Sequence, residues 1–274
     1  MTVSKELSGK YCGDNMYQLL ARQAISRLSG YFIVNPELAE KIQTEILSIY
    51  DGLIDFYQQQ GMTDARLLLM LDKLNYQGND ISRGGVNEKL RLTDEQVIIL
   101  LKQWAEEFSA SPLCGEVYCQ LAERYDRMQD YTAKLHAAQT GLKKYPQSPS
   151  ANDLKEQAAE VLTPRLMVEI PFAYPAREVD LKVKSRNLTG LTVELYRMNL
   201  PVTSNILERE ITASTVSQYG KLVGTRHYQL AATPDYMETD TLLRYKFPTE
   251  GIYILKSIPD GHSKYTAYGK AYVS

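Results

Sequence analysis

Cysteine and histidine are the residues of this sequence with the most distinctive chemistry, and their spacing argues against a metal site. His136, His227 and His262 are far apart, and none belongs to an HxxxH or HExxH pattern. Cys114 and Cys119 are five residues apart on one predicted helix, on roughly opposed faces, which disfavours a disulfide bond between them. The sequence therefore predicts no metal-binding residue.

An enzyme is the least favoured hypothesis. Its best form is a Cys-dependent enzyme in which Cys114 or Cys119 works with His136, because a helix N-terminus near Cys114 can lower a thiol pKa. No residue that could orient His136 is visible, and the paired carboxylates Glu106–Glu107 and Glu208–Glu210 are neighbours only in sequence. The chain has no GxSxG elbow, kinase motif set, GxxxxGK(S/T) loop or GxGxxG loop. We therefore predict no catalytic residue, no cofactor-binding residue and no enzymatic activity.

Composition describes an ordinary globular protein and excludes some partners. The 274 residues are 44% hydrophobic and 23% charged, with a formal net charge of -2. No basic field favours nucleic acid, and no apolar run approaches the roughly 20 residues that span a membrane. The polar start has no signal-peptide core, so we expect either a cytoplasmic protein or a piece whose targeting segment is missing. The end lies in an apparent strand, which favours a piece of a longer protein.

Apolar residues recur at helical spacing over residues 1–162, which predicts an all-helical region. Helices are expected at 15–29, 36–60, 64–76, 93–108, 111–128, 130–145 and 150–162, with a loop at 77–92. Thr93 opens one helix with the sequence TDEQ, in which Thr93 and Gln96 have the spacing of a capping box.

Residues 112–146 form a weak repeat unit within the helical region. Pro112 and Pro146 are 34 residues apart, and Tyr118, Leu121 and Tyr125 are among the large residues between them. This arrangement resembles the 34-residue helical pair of tetratricopeptide proteins, but one repeat is too few for a stable array. We expect a helical hairpin. If its concave face is open and lined by Asn, Lys or Arg, it is suited to bind a peptide; if it packs on neighbouring helices, it is not.

The hydrophobic period changes from 3.6 to 2 at Pro164, which cannot continue a helix. Strands are expected at 166–170, 179–184, 191–196, 222–231, 241–247, 251–257 and 265–273, with a polar loop at 201–210. Their inward residues include Leu181, Val183, Val193 and Leu195. Short strands with turn signals and no intervening helices favour an antiparallel Greek-key sandwich.

The predicted fold class is α+β with two domains. Residues 1–162 form the all-α helical-hairpin, tetratricopeptide-like region, and residues 163–274 form a β-sandwich of about seven strands.

The stretch LKVKSRNLTGLTVELYRMNLP, which starts at Leu181, and the stretch TLLRYKFPTEGIYILK, which starts at Thr241, resemble strand pairs of one known domain. It is the first macroglobulin-like domain of large α2-macroglobulin-like proteins of the Bacteroides group. MYQLLARQAI, from Met16, is similar to the helical lead-in of those proteins. Cys114-Gly-Glu-Val also resembles the start of their Cys-Gly-Glu-Gln thioester motif. Val117 has no acyl group for the thiol, so no thioester is expected.

The resemblance implies an extracytoplasmic protein, in the periplasm or at the outer membrane, that traps proteases. This chain would be a non-enzymatic structural and interaction module, with the signal peptide, bait region and thioester region outside it. Its implied partners are other domains of the same longer chain, and a target protease or surface protein. The alternative is a peptide-binding adaptor that uses a tetratricopeptide-like groove in a cell-surface or secretion assembly.

Overall fold

The structure, a computed structural model, describes residues 36–79, 91–170, 173–200 and 211–274. The chain divides into two compact units, residues 1–159 and 160–274. The helix predicted at 15–29, the loop predicted at 201–210 and most of the loop predicted at 77–92 lie outside the described residues.

Helices make up the described part of the first unit, as the periodicity predicts. They are α1 (Pro36–Gln59), α2 (Thr63–Asn79), α3 (Asp94–Glu107), α4 (Cys114–Arg127), α5 (Tyr131–Lys144) and α6 (Ala151–Leu162). The prediction that α2 ends at residue 76 is wrong, because its polar last turn, which contains Gly78, remains helical. Within the described ranges, no helix is long and apolar enough to cross a membrane.

Side chains cap the starts of α3 and α5, and the sequence predicts the first of these caps. The Gln96 amide N–H donates to Thr93 Oγ1 over 3.3 Å, and the Thr93 amide N–H donates to Gln96 Oε1 over 2.9 Å. The capping box is therefore confirmed. Asp130 Oδ1 accepts the Ala133 amide over 2.9 Å and fixes the start of α5 in the same way.

The second unit contains two antiparallel sheets packed as a sandwich, and the predicted fold class is confirmed. Its strands are β1 (Arg165–Glu169), β2 (Glu178–Arg186), β3 (Gly190–Met198), β4 (Gly220–Gln229), β5 (Thr239–Lys246), β6 (Gly251–Pro259) and β7 (Ala267–Val273). One sheet has the order β1-β2-β5 and the other has the order β4-β3-β6-β7. The chain passes between the sheets after β2, β4 and β5, as in Greek-key connections.

The inward-facing residues of the sandwich are those that the alternation predicts. Leu181, Val183, Val193 and Leu195 are each at most 2% exposed and belong to one core. Phe247 fills that core between Tyr245 and Tyr253, with ring centroids 5.5 and 5.4 Å away.

Neighbouring helical turns shift the starts of two strands from their predicted positions. A short helix, α7 (Ala213–Tyr219), precedes β4, which therefore starts at Gly220 and not at residue 222. This helix was missed because Val216 is its only buried residue. The prediction for β7 starts two residues too early, because Ser263–Tyr265 forms a 3₁₀ turn.

The turn after β2 gives structural roles to Arg186 and Asn187, the last two residues of the sequence SRN. Asn187 has a φ of 57°, a left-handed conformation that Asn tolerates better than most residues. Its Nδ2 donates to the Val161 carbonyl over 2.7 Å, and Arg186 Nη2 donates to the Glu160 carbonyl over 2.8 Å. Both carbonyls belong to the last turn of α6, where helical carbonyls lack partners within the helix.

Replacing Val193 with Asp is expected to unfold the sandwich, because it leaves an unpaired carboxylate in an apolar core. We expect a loss of about 3 kcal/mol or more in the free energy of unfolding. Leu242→Asp is the matched control, since Leu242 is 61% exposed. Urea unfolding followed by circular dichroism measures both. Equal stability of the two variants would show that the core face is assigned wrongly.

Substitutions of Asn187 separate its hydrogen bond from its backbone conformation. Asn187→Gly removes the bond to Val161 but keeps the left-handed conformation at low cost, so we expect a loss of about 1 kcal/mol. Asn187→Ala is expected to lose about 1 kcal/mol more through backbone strain. Thermal unfolding of both variants checks the order, and an Ala variant at least as stable as the Gly variant contradicts it.

Candidate functional site

A groove of about 970 Å³ runs along α4 and has walls from α3 and α5. Tyr118, Leu121 and Tyr125 form its floor, at positions i, i+3 and i+7 of one helix face. The walls are Lys102, Ala105, Glu106 and Ser109 on the α3 side, and Asp130, Thr132, Ala133, His136, Ala137, Thr140 and Lys144 on the α5 side. This open face belongs to the helical hairpin that the sequence analysis predicts at residues 112–146.

A buried cation attaches the α3 wall to α4. The Arg124 side chain is 2% exposed, and its Nη1 donates to Asp94 Oδ1 over 3.0 Å. Burial lowers the pKa of Arg124, and the hydrogen bond that Arg124 donates to Asp94 opposes that shift. Removing one partner of such a pair leaves a buried charge uncompensated, so this contact holds the wall in place.

A glycine allows the α5 wall to approach α4 closely. A Cβ at Gly141 would lie 2.5 Å from the Cβ of Tyr118, a distance that real side chains do not adopt. Lys134 is almost fully buried, and its Nζ donates to Asp126 Oδ1 over 2.7 Å at the other end of the hairpin. The two contacts fix α5 beside the groove floor.

Each tyrosine of the floor has a lysine from a different wall over its ring. Lys102 Nζ lies 5.8 Å from the ring centroid of Tyr125, and Lys144 Nζ lies 5.7 Å from that of Tyr118. Lys144 Nζ also donates to the Tyr118 hydroxyl over 3.4 Å. In the part of the chain that the structure describes, neither ammonium group has a carboxylate within 4.0 Å.

The structure does not assemble the Cys–His pair of the enzyme hypothesis. Cys114 and Cys119 are buried free thiols; Cys114 Sγ lies 3.7 Å from the Ala105 carbonyl. Burial raises the pKa of Cys114 and raises that of Cys119 to about 12, so both are protonated near neutral pH. His136 is exposed in the groove, and no described hydrogen bond joins it to either thiol.

The other sequence candidates are ordinary surface groups. His227 Nε2 and Asp260 Oδ2 lie 2.7 Å apart at the surface of the sandwich, and Glu107 accepts from Arg66 over 2.7 Å. Glu208 and Glu210 lie outside the described residues. Over the described ranges, no three His, Cys, Asp or Glu side chains are arranged to hold a metal ion.

The tripeptide Cys114-Gly-Glu has a packing role at the start of α4. A Cβ at Gly115 would lie 2.4 Å from the Cβ of Ser148, so a glycine lets these segments touch. Glu116 is only 6% exposed and accepts a hydrogen bond from Ser150. Burial, supported by the nearby charge of Asp153, raises the pKa of its carboxyl group.

Sequence reasoning names the floor residues as positions of a repeat, and it misses the walls of the groove. Tyr118, Leu121 and Tyr125 are residues of the predicted repeat, whereas Lys102 and Lys144 carry no motif of their own. The sequence signal for this groove is a pair of tyrosines, Tyr118 and Tyr125, seven residues apart on one helix face. The residues between them on that face, Leu121 and Ala122, are apolar or small.

Comparison with protein-family models and with curated proteins finds no match for this chain. Among solved structures, the CARDB domain of a Pyrococcus furiosus protein in complex with di-metal ions is 12% identical. It covers 41% of this chain and 88% of its own, with a TM-score of 0.25. The superoxide reductase (neelaredoxin) from Ignicoccus hospitalis is 14% identical and covers 41% of this chain and 80% of its own, with a TM-score of 0.22. Likenesses this small carry no argument about the present chain.

The pH dependence of Tm in a Glu116→Gln variant tests whether the pKa of the buried Glu116 carboxyl group is raised. Because burial raises the folded-state pKa of Glu116, its stabilising contribution is fully present below about 4.5, the unfolded value, and is lost as pH rises through the folded value. Gln imitates the protonated form at every pH. We therefore expect the variant to exceed the unmodified chain in Tm at pH 8 but not at pH 4. Glu156→Gln, at an exposed site of α6, is the control, and an equal Tm difference at both pH values contradicts the assignment.

Proposed function

We propose that this chain is a non-enzymatic interaction module whose helical unit binds an extended peptide segment in the groove on α4. The observation that supports this best is the open aromatic floor between two polar walls. Half-buried tyrosines present a rigid apolar ring together with a polar hydroxyl, which makes them effective contacts for a partner chain.

The dimensions of the groove suit a short stretch of polypeptide. Its volume of about 970 Å³ is at the upper end of the range for ligand sites. Tyr118 and Tyr125 are seven residues apart on α4, which corresponds to about 10 Å along the helix axis. An extended chain covers that distance with about three residues, and the wall residues continue beyond both rings.

The walls also favour binding because they are formed before a partner arrives. Arg124 with Asp94 and Lys134 with Asp126 hold the two outer helices on α4. A site whose walls are already fixed loses less conformational entropy on binding. This proposal is the peptide-binding alternative of the sequence analysis, with α3, α4 and α5 as its proposed binding surface.

A second proposal follows from the family resemblance and is compatible with the first. We propose that the chain is part of an α2-macroglobulin-like protein outside the cytoplasm, where the sandwich is a scaffold beside other domains of the same polypeptide. What supports it is that the two similar stretches form strands β2 and β3 and strands β5 and β6 of a seven-stranded sandwich, each couple consecutive in the chain and divided between the two sheets. Flanking gene sequence tests it: a lipoprotein signal upstream and a Cys-Gly-Glu-Gln motif downstream are expected, and a complete reading frame without them contradicts it.

Filling the groove tests the peptide-binding proposal. Peptides selected from a displayed random library on the full chain are expected to lose most of their affinity for Thr140→Trp, because an indole at this wall position occupies the space above the floor. Gln139→Trp is the matched control, since Gln139 is the exposed neighbour outside the groove. Fluorescence anisotropy of labelled peptides measures the dissociation constants. Selected peptides that bind both variants and the unmodified chain equally well place the binding surface elsewhere and overturn the proposal.

A further inference from the structure

We propose that the peptide segment held by the groove carries two carboxylate side chains three residues apart, one for Lys102 and one for Lys144. This inference rests on the proposed function and names the chemistry of its ligand. It follows from the placement of charge on the two walls.

The two lysines are positioned but not neutralised. Each ammonium group lies within 6 Å of a tyrosine ring centroid, so both side chains extend over the groove floor and not away from it. Among the described residues, neither forms an ion pair with a carboxylate. A tyrosine ring attracts a cation but leaves its charge uncompensated, and an anionic ligand can bind there without breaking an existing salt bridge.

The lysines lie on opposite walls and at different ends of the floor. Lys144 comes from α5 and covers Tyr118, whereas Lys102 comes from α3 and covers Tyr125. The ligand must therefore present its two anionic groups to opposite sides, separated by about 10 Å along α4.

An extended peptide meets this requirement with a specific spacing. Successive side chains of an extended chain point to opposite sides, and each residue advances about 3.3 Å. Residues i and i+3 therefore face opposite walls and lie about 10 Å apart, whereas residues i and i+2 face the same wall. With one carboxylate at each of positions i and i+3, each lysine receives one partner and the intervening residues lie over Leu121.

The acidic residues of the groove exclude a uniformly anionic ligand. Glu106 is one turn after Lys102 on the same wall, and Asp130 lies at the start of the wall that ends in Lys144. A segment with a negative charge at every position would place some of its charges against these carboxylates. The groove is thus suited to two spaced acids and not to a polyanion.

Three hexapeptides of defined sequence test the inference on the full chain. The first is acetyl-Ala-Glu-Ala-Leu-Glu-Ala-amide, with carboxylates at i and i+3. The second replaces both Glu by Gln, and the third is the isomer acetyl-Ala-Glu-Leu-Glu-Ala-Ala-amide, with carboxylates at i and i+2. NMR titration of the labelled chain gives the location of binding from amide shifts and the dissociation constant of each peptide.

We expect the first peptide to bind most tightly, with its shifts confined to α3, α4 and α5. Lys102→Met and Lys144→Met keep the aliphatic stem over the ring and remove the charge, and each is expected to weaken binding about two- to fivefold. Lys143→Met, at an exposed position of α5 that does not line the groove, is expected to leave the affinity unchanged. Higher salt should reduce the preference for the first peptide over the Gln peptide.

The remaining outcomes separate this inference from the proposed function. If the Gln peptide or the isomer shifts the same groove residues with equal affinity, the two-carboxylate inference is overturned and the groove remains a peptide site. If none of the three peptides shifts the groove residues, the inference is also overturned, and the proposed function is then decided by the Thr140→Trp comparison alone.

Discussion

The close approach of α4 and α5 at Gly141 is the contact on which the groove depends. No side chain fits between Gly141 and the Cβ of Tyr118, so any larger residue would push α5 away from the floor. The same contact places Lys144 over the Tyr118 ring. On the other side, the Arg124–Asp94 pair supplies the corresponding attachment for α3. A glycine contact and a buried ion pair therefore set the width of one groove.

Charged side chains lie near aromatic rings in both units, as Arg226 does near Tyr245 in the sandwich and Lys102 near Tyr125 on the helices. In the sandwich, Phe247 and Tyr253 are buried in the core, and Lys256 is paired with Glu194 over 2.9 Å. That hydrogen bond lowers the pKa of Glu194 and raises the pKa of Lys256. In the helical unit, tyrosines and lysines are left available along α4. Two cation–tyrosine contacts lie together in the groove on α4, and for this reason we propose a recognition role for the helices and a scaffold role for the sandwich.

The sequence predicted the fold well because its signals are local. The TDEQ capping box depends on four consecutive residues, and the faces of Leu181 and Val193 follow from simple alternation. Helix α7 was missed because it has one buried residue, which is too few for a periodic pattern. The groove walls were missed because Lys102 and Tyr125 are 23 residues apart and meet only when α3 packs on α4. Contacts of that kind depend on tertiary packing, which single-sequence periodicity does not report.

The structure of the full chain bound to a peptide selected on it tests the central claim most directly. The account predicts an extended segment that lies along α4, contacts the rings of Tyr118 and Tyr125, and runs between the α3 and α5 walls. A peptide bound to another face of the helices, or to the sandwich, with the groove unchanged, would contradict it.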